Sequence, residues 1–173
     1  MDIKKLKDQY KFCFSCASKL ESKKGKVLIC TNCGKNTYVD PSPTNGAIIE
    51  NEKGEIMLVR RAKDPKKGYW DIPGGFINPG ETAEESTIRE LKEELGTTKV
   101  ELEYLGTESD IYEYQGTAYP VLAFVFKAKI NTENLYPADD VTQIKFFTPK
   151  DLPFDKIAFE GVKRALKKFI EKK

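Results

Sequence analysis

Three glutamates, Glu90, Glu93 and Glu94, and four cysteines, Cys13, Cys16, Cys30 and Cys33, are the side chains of this 173-residue chain whose types and spacing could do chemistry. The glutamates stand at i, i+3 and i+4 of a stretch that reads as helix, so at about 100° per residue they share one arc of about 100°. Like charges at these spacings each destabilise an isolated helix by about 0.2–0.5 kcal/mol. A Mg²⁺ or Mn²⁺ ion relieves that repulsion, because it prefers hard oxygen ligands and keeps positions open for water and phosphate. Three glutamates on a solvated helix face would look the same, and on the glutamates alone both readings stay open. The preceding loop adds weight to the metal, since Pro73, Gly74, Gly75, Pro79 and Gly80 permit close backbone approach and bare carbonyls.

The cysteines form two Cys-x-x-Cys knuckles, 13–16 and 30–33, separated by thirteen residues. Each two-residue gap lets a tight turn aim two thiolates at one ion, the pattern of a tetrahedral zinc site. Four thiolates leave no open coordination position, so a zinc there would be structural, and Gly34 after the second knuckle supplies a residue that tolerates positive φ. Segments near Phe12 and 27–29 read as short strands, which makes residues 1–40 a four-cysteine zinc ribbon whose folding depends on the metal.

The chain has 29 Lys plus Arg against 27 Asp plus Glu and no histidine. That excludes Ser-His-Asp and Cys-His mechanisms and any imidazole metal site. Nine lysines against four acidic residues through position 40 make the ribbon basic, which admits contact with nucleic acid, although a solvated surface accounts for the same lysines. The longest apolar run, 121–126, is far short of the roughly 20 residues that span a bilayer, and the charged start lacks the apolar run of a secretory signal. A cytoplasmic setting without membrane attachment is the expectation, and there disulfides are rare.

The elements that must position these groups follow from periodicity. Pro41 and Pro43 mark a connector, placing a second domain at 41–173. Strands are expected at 46–50, 55–61, 100–105, 111–114, 119–130 and 144–147, with helices at 83–95 and 158–171. Thr82 and Glu85 read as a capping box and Gly96 as a stop, and Ile88, Leu91 and Leu95 define the expected buried stripe, away from the glutamates. The fold class is α/β, a sandwich around a mixed sheet.

The stretch from Gly75 through Glu81 to Arg89-Glu90-Leu91-Lys92-Glu93-Glu94-Leu95-Gly96-Thr97 resembles the Nudix box, with Thr97 where that signature has a bulky aliphatic. The resemblance implies an α/β/α Nudix sandwich and a pyrophosphohydrolase in which water attacks a diphosphate linked to a group X. It implies Glu90 and Glu94 as ligands of Mg²⁺ or Mn²⁺, Glu93 as a further ligand or the general base, and the Gly75 carbonyl as another contact. Arg89 paired with Glu81 would hold the box together. Some Nudix enzymes place the base on a later loop, where this chain has Asp139 and Asp140, candidates for an extra ligand or base against a plain solvated loop.

Ribbon followed by Nudix domain is similar to the NADH pyrophosphatase-like and FAD or ADP-ribose pyrophosphatase branch, whose substrates are small nucleotides. The Ser-Gln-Pro-Trp-type motif of NADH pyrophosphatases is absent, which counts against strict NADH specificity. Phe76, Tyr112, Tyr114 and Tyr119 are candidates to stack a flat ring, though Tyr112 and Tyr114 alternate as ordinary strand residues do. The expected reaction releases a nucleoside monophosphate. Two alternatives stand beside it: a hydrolase of nucleotide-capped RNA that uses the ribbon to hold the polynucleotide, and a non-catalytic nucleotide-binding regulator. Related two-domain hydrolases are often dimers, so a homodimer is an expectation as well.

Overall fold

Four consecutive apolar residues, Ile56, Met57, Leu58 and Val59, are all buried, as in a strand covered on both faces. The computed structural model describes residues 6–22, 26–97 and 99–172, and in it this run lies at the centre of the second of two compact units. The first unit is Met1–Ser42 with Ile111–Pro120, and the second is Pro43–Asp110 with Val121–Lys173.

The first unit holds a three-stranded antiparallel sheet, β1 (Leu20–Ser22), β2 (Val27–Cys30) and β3 (Asn36–Tyr38), in the order β1-β2-β3. Its small core of Leu6, Leu28 and Val39 is supplemented by Tyr10, Leu20, Ile111 and Ala118. The last two come from the hairpin tip 111–120, which the Gln9 side chain also grips. Its Nε2 donates to the Ala118 carbonyl (3.1 Å) and its Oε1 accepts from the Ala118 N–H (2.7 Å).

The second unit contains β4 (Ser42–Ile49, entered at Pro43), β5 (Ile56–Arg61), β6 (Trp70–Asp71), helix α1 (Ala83–Leu95), most of β7 (Val100–Tyr114) and β8 (Thr117–Ile130), β9 (Val141–Phe147) and helix α2 (Glu160–Glu171). The strands form two three-stranded sheets, β4-β8-β7 and β6-β5-β9, and a parallel bridge joins Trp70 to Ile157. Alternation along the strands sorts the core into two layers. Ile48, Ile56, Leu58 and Val125 meet Ala165, Leu166 and Phe169 of α2. Ala47, Ile49, Met57, Val59 and Ala128 meet Leu91 and Leu95 of α1. A helix on each face of the strands is the α/β sandwich expected from the pattern.

Two local expectations are corrected. The segment read as two strands is the single β7, in which Gly106 has φ 145° and carries the chain through a polar stretch. Its polar residues are tied to α2: Glu108 accepts from Arg164 Nε (2.9 Å) and Lys168 Nζ (2.5 Å), and Asp110 from the Gly161 N–H (2.6 Å). β7 and β8 are joined by Gln115 and Gly116, both at positive φ, the geometry of a two-residue hairpin turn. The second correction concerns the buried stripe of α1. Ile88 is 38% exposed, whereas Glu94 is 6% exposed. At about 100° per residue Ile88 and Glu94 flank Leu91 on opposite sides by about 60° each, so the helix is rolled toward its glutamates.

Candidate active site and thiol centre

The loop entering α1 lies against β4. The Asn45 N–H donates to the Gly75 carbonyl (2.8 Å) and the Ala47 N–H to the Pro73 carbonyl (2.9 Å). Gly74 adopts φ 144°, and a Cβ there would sit 2.4 Å from the Asn45 carbonyl oxygen and 2.8 Å from the Gly46 Cα. On the other side, a Cβ on Gly75 would sit 2.5 Å from Glu90 Oε1. Two glycines are therefore required to thread backbone between a strand and a carboxylate. The Gly74 N–H donates to Glu94 Oε2 (3.0 Å), which fixes that carboxylate as well.

Helix α1 begins at the expected capping box, in which the Glu85 N–H donates to Thr82 Oγ1 (3.1 Å) and the Thr82 N–H to Glu85 Oε2 (2.8 Å). It ends at Gly96, with φ 73°. Within it Arg89 is a hub. Its Nε and Nη2 grip Glu81 (2.7 and 3.1 Å), Nη1 donates to Glu90 Oε1 (2.8 Å) and Glu93 Oε2 (3.0 Å), and Nη2 also reaches the Phe76 carbonyl (3.1 Å) and Ser86 Oγ (3.0 Å). A planar guanidinium with five donors suits this role and a lysine ammonium does not. The hydrogen bonds from Arg89, then the Asn78 N–H, hold the Glu81 carboxyl down at about 2.

The glutamates differ in burial. Burial pushes Glu94 well above the ordinary carboxyl range against the Gly74 hydrogen bond, and the charges of Glu90, Asp71 and Asp140 push the same way. Burial also raises Glu90, opposed by Arg89 and reinforced by the charges of Glu93 and Asp139. The Glu93 side chain is the exposed one of the three.

Three further acidic residues border this set. Asp139 and Asp140 stand close enough to Glu90 and Glu94 for their charges to be felt there, and both pair with Lys63, Asp139 at 3.5 Å. Asp71 was not foreseen. It is 8% exposed, accepts from Arg61 Nη1 (3.1 Å) and from the Ile72 N–H (2.9 Å), and is raised by burial to about 6. It lies three residues before Gly74, whose N–H meets Glu94, and its charge acts on Glu94.

The four cysteine sulfurs lie within 4.8 Å of one another, the one such grouping of potential metal ligands among the described residues. Cys13 Sγ is 3.8 Å from Cys33 Sγ, and Cys16 Sγ is 3.5 Å from Cys30 Sγ. Both knuckles turn back on themselves through a left-handed residue, Ala17 (φ 57°) and Gly34 (φ 71°). Their N–H groups point at sulfur: Ser15 to Cys13, and Asn32 and Cys33 to Cys30, each at 3.4 Å. The Ser18 N–H and hydroxyl pull Cys16 down to about 6. At Cys33 the Lys35 N–H pulls down, but the neighbouring Cys30 sulfur and burial prevail and push it up to about 11. Four thiols so crowded ionise together only around a cation, which is the donor set of a closed zinc site.

The aromatic candidates are divided between the two units. Phe76 belongs to the second unit, while Tyr112, Tyr114 and Tyr119 belong to the first. Sequence reasoning missed a different group: Tyr104 sits edge-on to Phe126 (centroids 5.7 Å, 61°) and, with Phe124, Ile77, Pro43, Glu81 and Glu84, lines an open cavity of about 560 Å³. The alternation of Phe124 and Phe126 along β8 was the available signal.

Comparison with known proteins bears on the family and the fold. The NUDIX domain model matches residues 40–169. An ADP-ribose pyrophosphatase of Methanocaldococcus jannaschii is 34% identical over 126 residues, 73% of this chain and 72% of that protein. The NAD-capped RNA hydrolase NudC of Pseudomonas aeruginosa is 26% identical over 145 residues, 83% of this chain but 49% of that protein, so the chain spans about half of NudC's length. The crystal structure of a NUDIX hydrolase from Nitrosomonas europaea superposes with a TM-score of 0.69 at 25% identity, covering 94% of this chain and 92% of that one. With a matched domain that covers most of its length, the chain belongs to the Nudix family.

Proposed function

We propose that the protein hydrolyses the diphosphate linkage of a nucleoside diphosphate joined to a second group, as in ADP-ribose or a dinucleotide, and releases a nucleoside monophosphate. The observation that carries this reading is the pair Glu90 and Glu94, two carboxylates pressed into a desolvated corner against Gly74 and Gly75, where burial disfavours their charge. Hard oxygen donors whose charges repel and lack solvent fit a divalent cation, and Glu90, Glu94 and the free lone pair of the Gly75 carbonyl would hold Mg²⁺ or Mn²⁺. Such an ion neutralises phosphate oxygens and acidifies bound water.

The remaining roles fall to the chain itself. Glu93, the exposed glutamate, is the group placed to accept a proton from the attacking water at Oε2, once that oxygen parts from Arg89 Nη1. Arg89 keeps Glu81, Glu90 and Glu93 in register, and Gly74 N–H orients Glu94. Cys13, Cys16, Cys30 and Cys33 hold a structural zinc, and with all four thiols free of disulfides the reading includes a reducing, cytoplasmic setting. The relative named ADP-ribose pyrophosphatase supports a small-nucleotide substrate.

A second reading, an NAD-capped RNA substrate, is favoured by the NudC relatives and by the ribbon's Phe12 and Phe14, 64% and 79% exposed beside Lys11 and Lys19. Turnover of a panel of nucleoside diphosphate derivatives and of NAD-capped RNA, read by mass spectrometry with Mg²⁺ and with Mn²⁺, separates the two. The first reading expects small nucleotides to be cleaved, with activity lost in Glu94→Gln. The second expects capped RNA to be preferred, with affinity falling steeply as salt rises.

A further inference from the structure

We infer that residues 131–140 form a strap across the C-terminal end of α1, and that Tyr136 is the positioning residue that keeps Asp139 and Asp140 beside Glu90 and Glu94. The inference rests on the Nudix reading for the role of those glutamates, but its geometry is independent of any substrate.

The Tyr136 ring lies over a glycine. A Cβ on Gly96 would sit 2.4 Å from Tyr136 Cε1, 2.6 Å from Cζ and 2.8 Å from Oη, so the tyrosine ring occupies the space that any other residue's side chain would need at this helix end. Gly96 thus serves twice, as the left-handed cap and as the seat of the ring. Two residues beyond the ring, the Ala138 N–H donates to the Glu94 carbonyl (3.0 Å). That carbonyl lies in the last turn, where the helix has no N–H of its own to offer. The backbone then turns sharply, with the Val141 N–H on the Ala138 carbonyl (3.0 Å) and Asp139 at φ 46°. The Asp140 carbonyl accepts from the Ala62 N–H at the end of β5 (2.7 Å). Lys63 Nζ pairs with both aspartates.

The strap is therefore fastened to α1 through Tyr136 and Ala138 and to the end of β5 through Asp140 and Lys63. The strap brings acidic groups toward one another, the charge of Asp139 acting on Glu90 and that of Asp140 on Glu94, and Lys63, just beyond β5, is the cation that pairs with both aspartates. Tyr136 is 58% exposed, so its role is not to fill a core. Truncating it leaves no cavity and removes only the fastening.

The test is Mn²⁺ binding by titration calorimetry on the zinc-loaded, full-length protein, with kcat and KM measured where a substrate is in hand. Tyr136→Ala is expected to weaken Mn²⁺ binding by roughly 10-fold, the low end of outer-shell effects on metal sites, and to lower kcat more than it raises KM, with the melting temperature nearly unchanged. Tyr136→Phe keeps the ring and is expected to bind as the wild type does. Asp139→Asn with Asp140→Asn should reproduce the loss, and adding Tyr136→Ala to that pair should cost nothing further. Wild-type Mn²⁺ affinity in Tyr136→Ala, or losses that add in the triple variant, would overturn the strap. Protein that binds Mn²⁺ in this pattern yet hydrolyses no diphosphate would leave the strap standing and remove the proposed function instead.

Discussion

Asp71 makes the buried acidic corner measurable without a substrate. Burial raises its carboxyl from an ordinary 3.8 to about 6, against the pull of Arg61. The folded protein then holds this proton more tightly than the unfolded chain does. The stability so gained is fully present below pH 3.8 and is lost as pH rises through 6. A rise of that size corresponds to about 3 kcal/mol between the extremes, of which about 2 kcal/mol separates pH 4.5 from pH 7.5. Asp71→Asn has no proton to lose, and its amide oxygen can still accept from the Ile72 N–H. Urea unfolding, followed by the fluorescence of the single tryptophan, Trp70, reads the stability of both proteins at both pH values without added Mg²⁺ or Mn²⁺. Subtracting the difference at one pH from that at the other cancels every pH-independent consequence of the substitution. The variant should gain about 2 kcal/mol on the wild type between pH 4.5 and 7.5, or about 4–8 °C in melting temperature for a chain of this size. A difference constant with pH to within about 0.5 kcal/mol, or one of opposite sign, would refute the reasoning and mean that Arg61 outweighs burial.

Gly75→Ala must displace Glu90, since the new methyl would lie 2.5 Å from its Oε1; divalent-cation-dependent turnover should fall at least about tenfold, and unchanged kinetics would show that Glu90 is dispensable. Thr82→Ala removes the cap at the start of α1 and should cost about 1 kcal/mol, about 2–4 °C by calorimetry, while activity at 25 °C persists. Stripping zinc with a chelator should raise amide exchange throughout β1, β2 and β3, whose described core is Leu6, Leu28 and Val39 with a few partly buried neighbours. Exchange rates indifferent to the metal would remove the structural role of the four thiols.

Helix α1 was legible almost to the residue, because its ends are set by local chemistry: Thr82 with Glu85 at one end and Gly96 at the other. The thiol centre was legible for the same reason, since two short turns bring the sulfurs together. The roll of α1 was not. Local periodicity favours burying Ile88, yet Gly74 and Gly75 pack against Glu90 and Glu94 and turn that side of the helix inward. The polar run from Thr107 to Asp110 resembles a turn and makes strand β7 look broken in the sequence. Its partners, Arg164, Lys168 and the N–H of Gly161, lie some fifty residues along the chain. Asp71 and Tyr136 escaped notice on the same principle, since each matters only for what the fold sets beside it.

The proposal for this site is that Glu90 and Glu94 are the cation ligands of a diphosphate hydrolase. Its most direct test is hydrolysis of ADP-ribose and related nucleoside diphosphate derivatives in ¹⁸O water, with products identified by mass spectrometry in the wild type and in Glu94→Gln. Two phosphomonoesters are expected, one carrying a single ¹⁸O, formed only with Mg²⁺ or Mn²⁺ present and lost in the variant. Undiminished turnover in Glu94→Gln, or no cleavage of any member of the panel by the wild type, would contradict it.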